Sequence, residues 1–398
     1  MKSLLIITSA PAARVAGKPF LDKKFCEGMR FYAEAWGGPV SCVAYLREAA
    51  FPFGQEFEEG DLPFKLRLLN RGQRITAEDL VNVDLVLCSG DNHEYFYMSD
   101  ICAGLQTKLV YVIEYILETR LQINFLDPKK NFFEKLYSAV WNVKTEFYRR
   151  RAFKRADGLQ ANGFPSFSAY QKLSKNTLRY LDNRTGSLLF ATDQEMASRV
   201  DHLNTGKRIR VVHSGRLEPM KGSQDLIPIA RALTRKNIDF ELHIFGAGSL
   251  ESDIREDIEL YALQDRVFLR GAIDFETELV PFVRQNADVY LSCHRQSDPS
   301  CSYIENMACG VAIAGYSNRM WTALCEDSKS GWCAPLGDYE ALASKVAQAS
   351  VNRKDTISQC KKSLEYANKH AFEKVFSQRI DHLLGTLSAF HAEKLKHA

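Results

Sequence analysis

Two cations stand close together in a glycine-containing stretch near the middle of the chain. The stretch, Ser214 to Gly222, reads SGRLEPMKG and follows a β-rich run, Arg208 to His213. Glycine lets the chain turn tightly away from a strand, and the side chains of Arg216 and Lys221 suit a diphosphate. An ordinary solvated loop is equally compatible with these residues alone.

A second polar stretch contains a carboxylate that is suited to binding sugar hydroxyls. It runs from Ser297 to Gly310 and reads SDPSCSYIENMACG. Ser300 or Ser302 is a candidate helix N-cap and Gly310 a candidate helix end, so backbone N–H groups would face an incoming phosphate. Glu305 lies about one turn inside this helix, where its carboxylate can accept hydrogen bonds from ribose hydroxyls. A capped helix with an ordinary surface glutamate is the alternative.

Short β-rich runs that alternate with amphipathic stretches must position these residues. The alternation indicates βαβ units and a parallel sheet, and it restarts after the polar stretch Asp201 to Lys207. We therefore predict two doubly wound α/β domains, 1–200 and 208–371, and a helix at 372–398 that closes the second domain or crosses back to the first. Ligands of such sheets bind outside the carboxyl ends of the strands. The predicted strands are Ser3 to Ile7, Val40 to Ala44, Asp84 to Cys88, Lys108 to Ile113, Gly158 to Ala161, Arg208 to His213, Phe240 to Phe245, Arg266 to Leu269, Val289 to Ser292 and Val311 to Ala314.

The bulk composition argues against several classes of protein. The 398 residues are 45% hydrophobic and 25% charged, which is typical of a folded, non-membrane protein with two domains. The net charge of +3 does not indicate nucleic-acid binding. The ten cysteines show no C-x-x-C pair and no metal-ligand spacing, so we expect reduced, buried thiols and no metal site. The N-terminus resembles neither a secretion signal nor a spanning helix, so we expect a cytoplasmic protein.

Three motifs, in this order, resemble those of the retaining glycosyltransferases of the GT-B fold, family 4. They are the G-R-L-x-x-x-K-G loop from Gly215 to Gly222, the turn from Gly246 to Gly248, and the segment from Glu305 to Gly310. Each motif alone is weak, but the combination covers residues 208–345. The resemblance implies two Rossmann-like domains that face each other across a cleft, with a nucleotide-sugar donor held by the C-terminal domain.

The resemblance also implies a role for individual residues of the donor half. Arg216 and Lys221 would hold the donor diphosphate, and Glu305 would hold the ribose. The segment after the strand Val267 to Leu269 would read the base, with Ile273 packed on it. The predicted donor site consists of Gly215, Arg216, Lys221, Gly246, Gly248, Ala272, Ile273, Asp298, Ser300, Cys301, Ser302 and Glu305.

One position departs from the family pattern. The family usually has a second glutamate separated from Glu305 by seven residues, and this chain has Ser297 there. The nearest acid is Asp298, which is our candidate for the same contact with sugar hydroxyls. The backbone amides from Ser300 to Ser302 would lie near the phosphate.

The predicted acceptor half carries fewer signals. His93, in a polar loop with Asp91, is a candidate to bind a sugar hydroxyl or to shuttle a proton, although a structural role is the more common one for such a histidine. Glu114 lies where related enzymes often carry a histidine, and its carboxylate could orient the acceptor hydroxyl. The resemblance places the loop with Gly17 and Lys18 beside the donor phosphates or the acceptor. The predicted catalytic residues are Arg216, Lys221, Glu114 and His93.

A basic and aromatic segment runs from Lys129 to Arg155. It holds nine lysines or arginines and two acids, interleaved with aromatic residues such as Phe132, Phe133 and Trp141. This pattern is typical of a helix on an anionic membrane surface or beside an anionic lipid-linked acceptor. It is equally compatible with a helix whose aromatic residues are core and whose cations are solvated.

These observations predict a retaining, hexosyltransferase-like enzyme of polysaccharide or glycolipid synthesis. It would move a sugar from a nucleotide diphosphate sugar to a glycan or lipid-linked acceptor, in the cytoplasm or on the inner face of the membrane. We expect no metal and no bound cofactor, because Arg216, Lys221 and a helix N-terminus would stabilise the leaving diphosphate. Three alternatives stay open: a nucleotide-sugar epimerase of the same fold, a phosphorylase with lysine-bound pyridoxal phosphate, and a non-catalytic nucleotide- or glycan-binding protein.

Overall fold

The computed structural model describes residues 2–51, 54–70 and 72–396, and side chains only as far as residue 388. The chain forms two compact units. The first consists of Met1–Leu117, Val140–Tyr180 and Glu373–Ala398, and the second of Glu118–Ala139 and Leu181–Phe372. Compared with the predicted domains, residues 118–139 and 181–200 group with the second unit, and the C-terminal helix groups with the first.

Parallel strands dominate the chain up to residue 180. Its strands are β1 (Leu4–Ile7), β2 (Ala12–Val15), β3 (Lys18–Asp22), β4 (Val40–Tyr45), β5 (Gly54–Glu56), β6 (Lys65–Leu69), β7 (Leu85–Ser89), β8 (Lys108–Ile113), β9 (Gly158–Asn162) and β10 (Thr177–Tyr180). Its helices are α1 (Lys23–Ala35), α2 (Met98–Leu105), α3 (Leu117–Leu126), α4 (Phe132–Arg155) and α5 (Gly163–Tyr170). Within the described ranges, seven strands form a parallel sheet in the order β10-β9-β8-β7-β1-β4-β6, and β2, β3 and β5 form a small antiparallel sheet.

The central strands of the first unit are continuous apolar runs because helices cover both faces of a parallel sheet. All four residues of β1 are buried, as are the first four of β7. Helix α1 begins at Lys23 because the Asp22 carboxylate accepts the backbone N–H of Phe25 at 2.8 Å. The loops at the carboxyl ends of β7 and β8 carry Asp91, His93 and Glu114.

The second unit repeats the same architecture. Its strands are β11 (Ile209–Ser214), β12 (Phe240–Phe245), β13 (Val267–Gly271), β14 (Val289–Ser292), β15 (Ala312–Tyr316) and β16 (Trp332–Ala334). Its helices are α6 (Asp193–Asn204), α7 (Leu226–Arg235), α8 (Glu251–Leu260), α9 (Val280–Asn286), α10 (Ser302–Ala308), α11 (Arg319–Ser328), α12 (Tyr339–Val351) and α13 (Arg353–Lys369). The sheet is parallel, in the order β13-β12-β11-β14-β15-β16. Helix α6 begins with a capping box, in which Thr192 and Glu195 satisfy each other's backbone N–H groups.

Helix α14 (Phe372–Lys396) completes the first unit. The Phe376 ring lies so close to Gly28 that a β-carbon there would be 2.7 Å from the ring, and it packs edge-to-face on Tyr32 with 5.6 Å between ring centroids. The Arg379 Nε donates to Gln160 Oε1 at 2.9 Å. The predicted helix from Phe372 onward is therefore present, and its first turns pack into the first unit.

The small antiparallel sheet was not predicted. Lys18 and Pro19, which we assigned to a loop, belong to β3, while Gly17 forms the turn before it with φ of +84°. Within the part of the chain that the structure describes, no helix is long and apolar enough to cross a membrane.

Candidate active site

The predicted donor residues follow the carboxyl ends of β11, β12, β13 and β14. The Gly215 N–H donates to the Phe245 carbonyl at 3.0 Å, and the Gly246 N–H donates to the Gly271 carbonyl at 2.8 Å. The backbones come so close that a β-carbon on Gly246 would lie 1.9 Å from the Gly215 oxygen, and φ of Gly246 is +128°. Only glycine fits there, so these residues join three strand ends into one backbone surface.

Arg216 and Lys221 leave the same loop but differ in exposure. The Arg216 side chain is exposed and approaches the Met220 sulfur at 3.9 Å. Lys221 is buried, and its ammonium donates to Asp298 Oδ2 at 2.6 Å. Arg216 thus offers its charge at the surface, whereas Lys221 is held in place by a carboxylate.

Asp298 is a buried carboxylate with one oxygen bound by Lys221. Its Oδ1 is buried without a hydrogen-bond partner among the described residues. Burial is the largest single influence and acts to raise the pKa of Asp298, but the nearby Lys221 and His294 and hydrogen bonds from Lys221 and Gln296 together hold the pKa below its usual value. Burial also lowers the pKa of His294 to about 3, so that ring is neutral at pH 7, and its Nδ1 is another buried atom without a described partner. Both atoms retain unused hydrogen-bonding capacity, and both are enclosed by protein.

Ser297 occupies the position where the resemblance leads us to expect a glutamate. The residue is buried, its N–H donates to Gln122 Oε1 at 3.0 Å, and its Oγ accepts the Arg319 N–H at 3.1 Å. The Ser297 N–H and hydroxyl are therefore both hydrogen-bonded within the protein. Asp298, one residue later, retains an oxygen without a described partner, and its contact with sugar hydroxyls stays a prediction.

Helix α10 begins at Ser302, and neither predicted serine caps it. Cys301 takes the N-cap position without a side-chain hydrogen bond, and the hydroxyls of Ser300 and Ser302 bond to each other at 2.9 Å. The capping prediction was wrong because the two hydroxyls satisfy one another. Contact between this stretch of backbone and a phosphate stays a prediction.

Glu305 forms a bidentate ion pair with Arg184. The Arg184 Nε lies 2.8 Å from Glu305 Oε1, and its Nη2 lies 3.2 Å from Oε2. The same guanidinium covers the Phe275 ring, 3.8 Å from the ring centroid. Our sequence reasoning missed Arg184 because 121 residues separate it from Glu305 and no motif contains it.

The predicted base-binding edge follows β13. Gly271 ends that strand with φ of +73°, Ala272 is exposed, and Ile273 is partly exposed. The next turn is fixed by Asp274, whose Oδ1 accepts two backbone N–H groups at 3.1 and 2.9 Å. The edge thus presents a small apolar surface beside Phe275, the ring that Arg184 covers.

On the acceptor side, Asp91 is tied into the protein. Its Oδ2 accepts the Glu114 N–H at 2.7 Å, and its Oδ1 accepts the Tyr115 N–H at 3.1 Å and the Arg149 Nη2 at 2.7 Å. The Arg149 side chain is completely buried. Asp91 therefore links the ends of β7 and β8. These three hydrogen bonds give the Asp91 carboxylate a structural role that needs no ligand.

His93 and Glu114 lie at the same edge of the first sheet. The His93 side chain is exposed, and its ring packs edge-to-face on Trp141 with 4.8 Å between centroids. The Glu114 side chain is half-buried, and its carbonyl accepts the Ser166 hydroxyl at 2.7 Å. The geometry keeps both side chains as candidates for contact with an acceptor.

Gly17 and Lys18 belong to the antiparallel sheet. The Gly17 carbonyl accepts a hydrogen bond from Arg14 at 2.8 Å. Lys18 pairs with Glu58, and this hydrogen-bonded contact raises the pKa of Lys18. The contacts seen for these two residues are thus internal, and their predicted role at the acceptor stays a prediction.

The second unit therefore brings together a surface cation, a buried cation–carboxylate pair and an oriented glutamate. Such a set can bind a ligand that carries both phosphate and hydroxyl groups. The described residues contain no group of three or more His, Cys, Asp or Glu side chains that could hold a metal ion.

Doubly wound parallel sheets in two Rossmann-like units are the architecture of the GT-B fold. The crystal structure of HepE from Anabaena in complex with UDP has this fold, with a TM-score of 0.66 at 16% identity, over 97% of this chain and 100% of HepE. More particularly, residues 195–370 match the family described as glycosyl transferases group 1. The matched segment contains Lys221, Asp298 and Glu305. Arg184 lies before it in the sequence.

Two relatives named for polysaccharide synthesis are similar over part of the chain. The colanic acid biosynthesis glycosyltransferase WcaL of Salmonella typhimurium is 28% identical over 158 residues, 38% of each chain. The amylovoran biosynthesis glycosyltransferase AmsK of Erwinia amylovora is 28% identical over 155 residues, 37% of this chain and 38% of AmsK. The matched part of this chain thus spans about two fifths of each relative.

Proposed function

We propose that this protein is a retaining glycosyltransferase that uses a nucleotide diphosphate sugar to extend a glycan or a lipid-linked acceptor. The observation that carries the proposal is the buried Lys221–Asp298 pair beside exposed Arg216, at the carboxyl ends of the strands in the segment that matches the family. The names of WcaL and AmsK support polysaccharide synthesis as the setting.

In the proposed reaction, the bond between the anomeric carbon and the diphosphate oxygen breaks, and a bond from that carbon to an acceptor oxygen forms. The diphosphate oxygen keeps the electron pair of the broken bond, so negative charge builds up on it until it takes the proton of the acceptor hydroxyl. Arg216 and Lys221 stabilise that charge, because cations already in position need not reorganise during the step. Asp298 orients Lys221 and offers its second oxygen to a sugar hydroxyl.

We expect the protein to bind a nucleoside diphosphate and to transfer sugar without a divalent metal. Two protein cations take the part that Mg²⁺ takes in other transferases. Melting curves with UDP, GDP and ADP identify the base, since a ligand at about a hundred times its Kd stabilises the folded state by about 2.7 kcal/mol. UDP is the first choice because HepE binds it.

Transfer is then measured with the matching nucleotide sugar in EDTA and in Mg²⁺. Equal rates are expected, and a complete loss in EDTA that Mg²⁺ restores would contradict the assignment of Arg216 and Lys221. Product analysis with the donor alone distinguishes transfer from epimerisation.

We further propose that helix α4 attaches the protein to an anionic membrane. Apart from buried Phe153, its aromatic side chains are at the surface, with exposed fractions of 79% for Phe133, 76% for Tyr137 and 69% for Phe147. The exposed apolar residues of the helix are Phe132, Phe133, Leu136, Tyr137, Val140, Trp141, Val143, Phe147 and Tyr148. At 100° per residue these lie on one half of the helix, opposite buried Thr145, Arg149 and Phe153.

Towards the C-terminus of α4, the same exposed half of the helix carries lysines and arginines. Lys144, Arg151 and Lys154 are exposed there, whereas Arg149 points inward. A helix face with aromatic residues followed by cations fits the interface of an anionic bilayer, where rings lie at headgroup level and cations meet lipid phosphates. Trp141 of this face contacts His93, so a lipid-linked acceptor would arrive beside a predicted acceptor residue.

Reversing the three exposed cations Lys144, Arg151 and Lys154 to glutamate is expected to weaken binding to anionic vesicles roughly hundredfold. Each cation near such a surface contributes about 1 kcal/mol. Sedimentation with phosphatidylglycerol and phosphatidylcholine vesicles at low salt measures the effect.

The matched control reverses Lys207, Lys236 and Lys361, exposed lysines of the second unit, which changes the net charge equally. It should bind anionic vesicles more strongly than the α4 variant. Equal binding by both variants would show that net charge, and not α4, determines attachment.

A further inference from the structure

Arg184 touches both of the features that we assign to nucleotide binding in the second unit. Its guanidinium bonds both oxygens of Glu305 and lies over the Phe275 ring, 3.8 Å from the centroid and two residues beyond Ile273. The Glu305 side chain is 9% exposed and that of Arg184 is 34% exposed. The pair therefore lies at the boundary between the interior and the surface, where a ligand can reach the carboxylate.

The backbone on either side of Arg184 is firmly held. The side chain of Asn183 is buried and donates to the His370 carbonyl at 2.8 Å. Thr185 is buried, and its carbonyl accepts the Phe372 N–H at 3.0 Å. Arg184 lies outside the regular elements, but the residues on both sides of it are anchored to the segment from His370 to Phe372.

A carboxylate held in this way has a defined remaining capacity for hydrogen bonds. Its two oxygens offer about four acceptor sites, and a bidentate guanidinium occupies two of them. One site on each oxygen is left, on the side of that oxygen that faces away from the guanidinium. A single hydroxyl, such as O2′ of a ribose, can donate to one of these sites.

We infer that Arg184 is a positioning residue that orients Glu305 to accept the O2′ hydroxyl of the donor's ribose, and that the pair thereby selects ribonucleotides over 2′-deoxyribonucleotides. The inference rests on the proposed role of Glu305 as the ribose ligand. Without Arg184, the Glu305 side chain can rotate, and one of its oxygens no longer faces the ribose. Lysine cannot replace arginine fully, because a single ammonium does not bond both oxygens in one plane.

Calorimetric titration with UDP and 2′-deoxy-UDP tests this inference, with the GDP and ADP pairs used if UDP does not bind. Wild type is expected to favour the ribonucleotide by roughly tenfold to hundredfold, the scale of a hydrogen bond to a charged group. Glu305→Ala should remove the preference, and Arg184→Ala should remove most of it by weakening the ribonucleotide alone. Arg184→Lys should retain an intermediate preference, and it also guards against a folding defect in the alanine variant.

The matched control is Arg235→Ala, which breaks the exposed Arg235–Glu340 pair of the same unit and should leave the preference unchanged. A preference that Glu305→Ala removes and Arg184→Ala keeps would overturn the inference and leave the role of Glu305 intact. Tighter UDP binding by Arg184→Ala would also overturn it, because Arg184 would then block Glu305. If wild type shows no preference, the ribose assignment itself fails.

Discussion

Lys221→Ala is expected to reduce sugar transfer by two or more powers of ten and to destabilise the second unit. The rate falls because one cation opposite the leaving diphosphate is lost, and removing one prepositioned charge-stabilising group typically costs this much. The stability falls because Asp298 stays buried without the ammonium that lies 2.6 Å away. Removal of one partner from a buried ion pair costs about 3 to 5 kcal/mol.

Arg216→Ala separates the two effects. Its side chain is exposed, so we expect a similar loss of rate and an almost unchanged melting temperature. The double variant Lys221→Met with Asp298→Asn should regain part of the lost stability and none of the rate, because no unpaired charge remains. Single-turnover rates and denaturant unfolding measure the two quantities. Wild-type kinetics in a folded Arg216→Ala/Lys221→Met/Asp298→Asn variant would end the assignment of the donor site.

Arg149→Ala is expected to unfold the first unit at temperatures where the wild type is stable. The side chain is completely buried, and its guanidinium bonds Asp91 at 2.7 Å, the Tyr170 hydroxyl at 3.1 Å and the Tyr115 carbonyl. Alanine would leave these polar groups buried without their donor. We expect a loss of about 3 to 5 kcal/mol in the free energy of unfolding.

Arg151→Ala is the matched control for Arg149→Ala. It lies two residues further along the same helix with an exposed side chain, so the free energy of unfolding should change by about 0.5 kcal/mol or less. Urea unfolding followed by circular dichroism compares the two variants. Equal stability of the two variants would show that the Asp91–Arg149 contact does not hold the ends of β7 and β8.

The sheets could be predicted from the sequence because buried parallel strands are short apolar runs. The predicted strands at β8, β12 and β14 match the structure residue for residue. Strand β3 was missed because Pro19 lacks an N–H and argues against a strand. The Pro19 carbonyl nevertheless accepts the Phe57 N–H at 2.9 Å, so the segment that follows β5 pairs with β3 through this carbonyl. Strand β16 has three residues and is defined by its pairing with β15, which no local pattern reveals.

The site was predictable only where its parts are close in sequence. Arg216 and Lys221 belong to one loop, and Asp298 was found because it lies next to the position where a glutamate was expected. Their pairing across 77 residues was not visible in the sequence. The sequence likewise contains three consecutive arginines, of which a helix can turn only one towards the core. That one is Arg149. The helical period shows that the three arginines point in different directions, but it does not show which face of the helix packs against the protein.

Helix α14 sets the order in which the two units can finish folding during translation. Phe376 packs against Gly28 and Tyr32 of α1, so the first unit lacks this part of its interior until the ribosome has made the helix. Leu181–Phe372 of the second unit are made before it, which takes roughly ten to forty seconds at about 5 to 20 residues per second. The first domain to begin synthesis is therefore the last to be completed, and a nascent chain carries an uncovered aromatic surface on α1 throughout that interval.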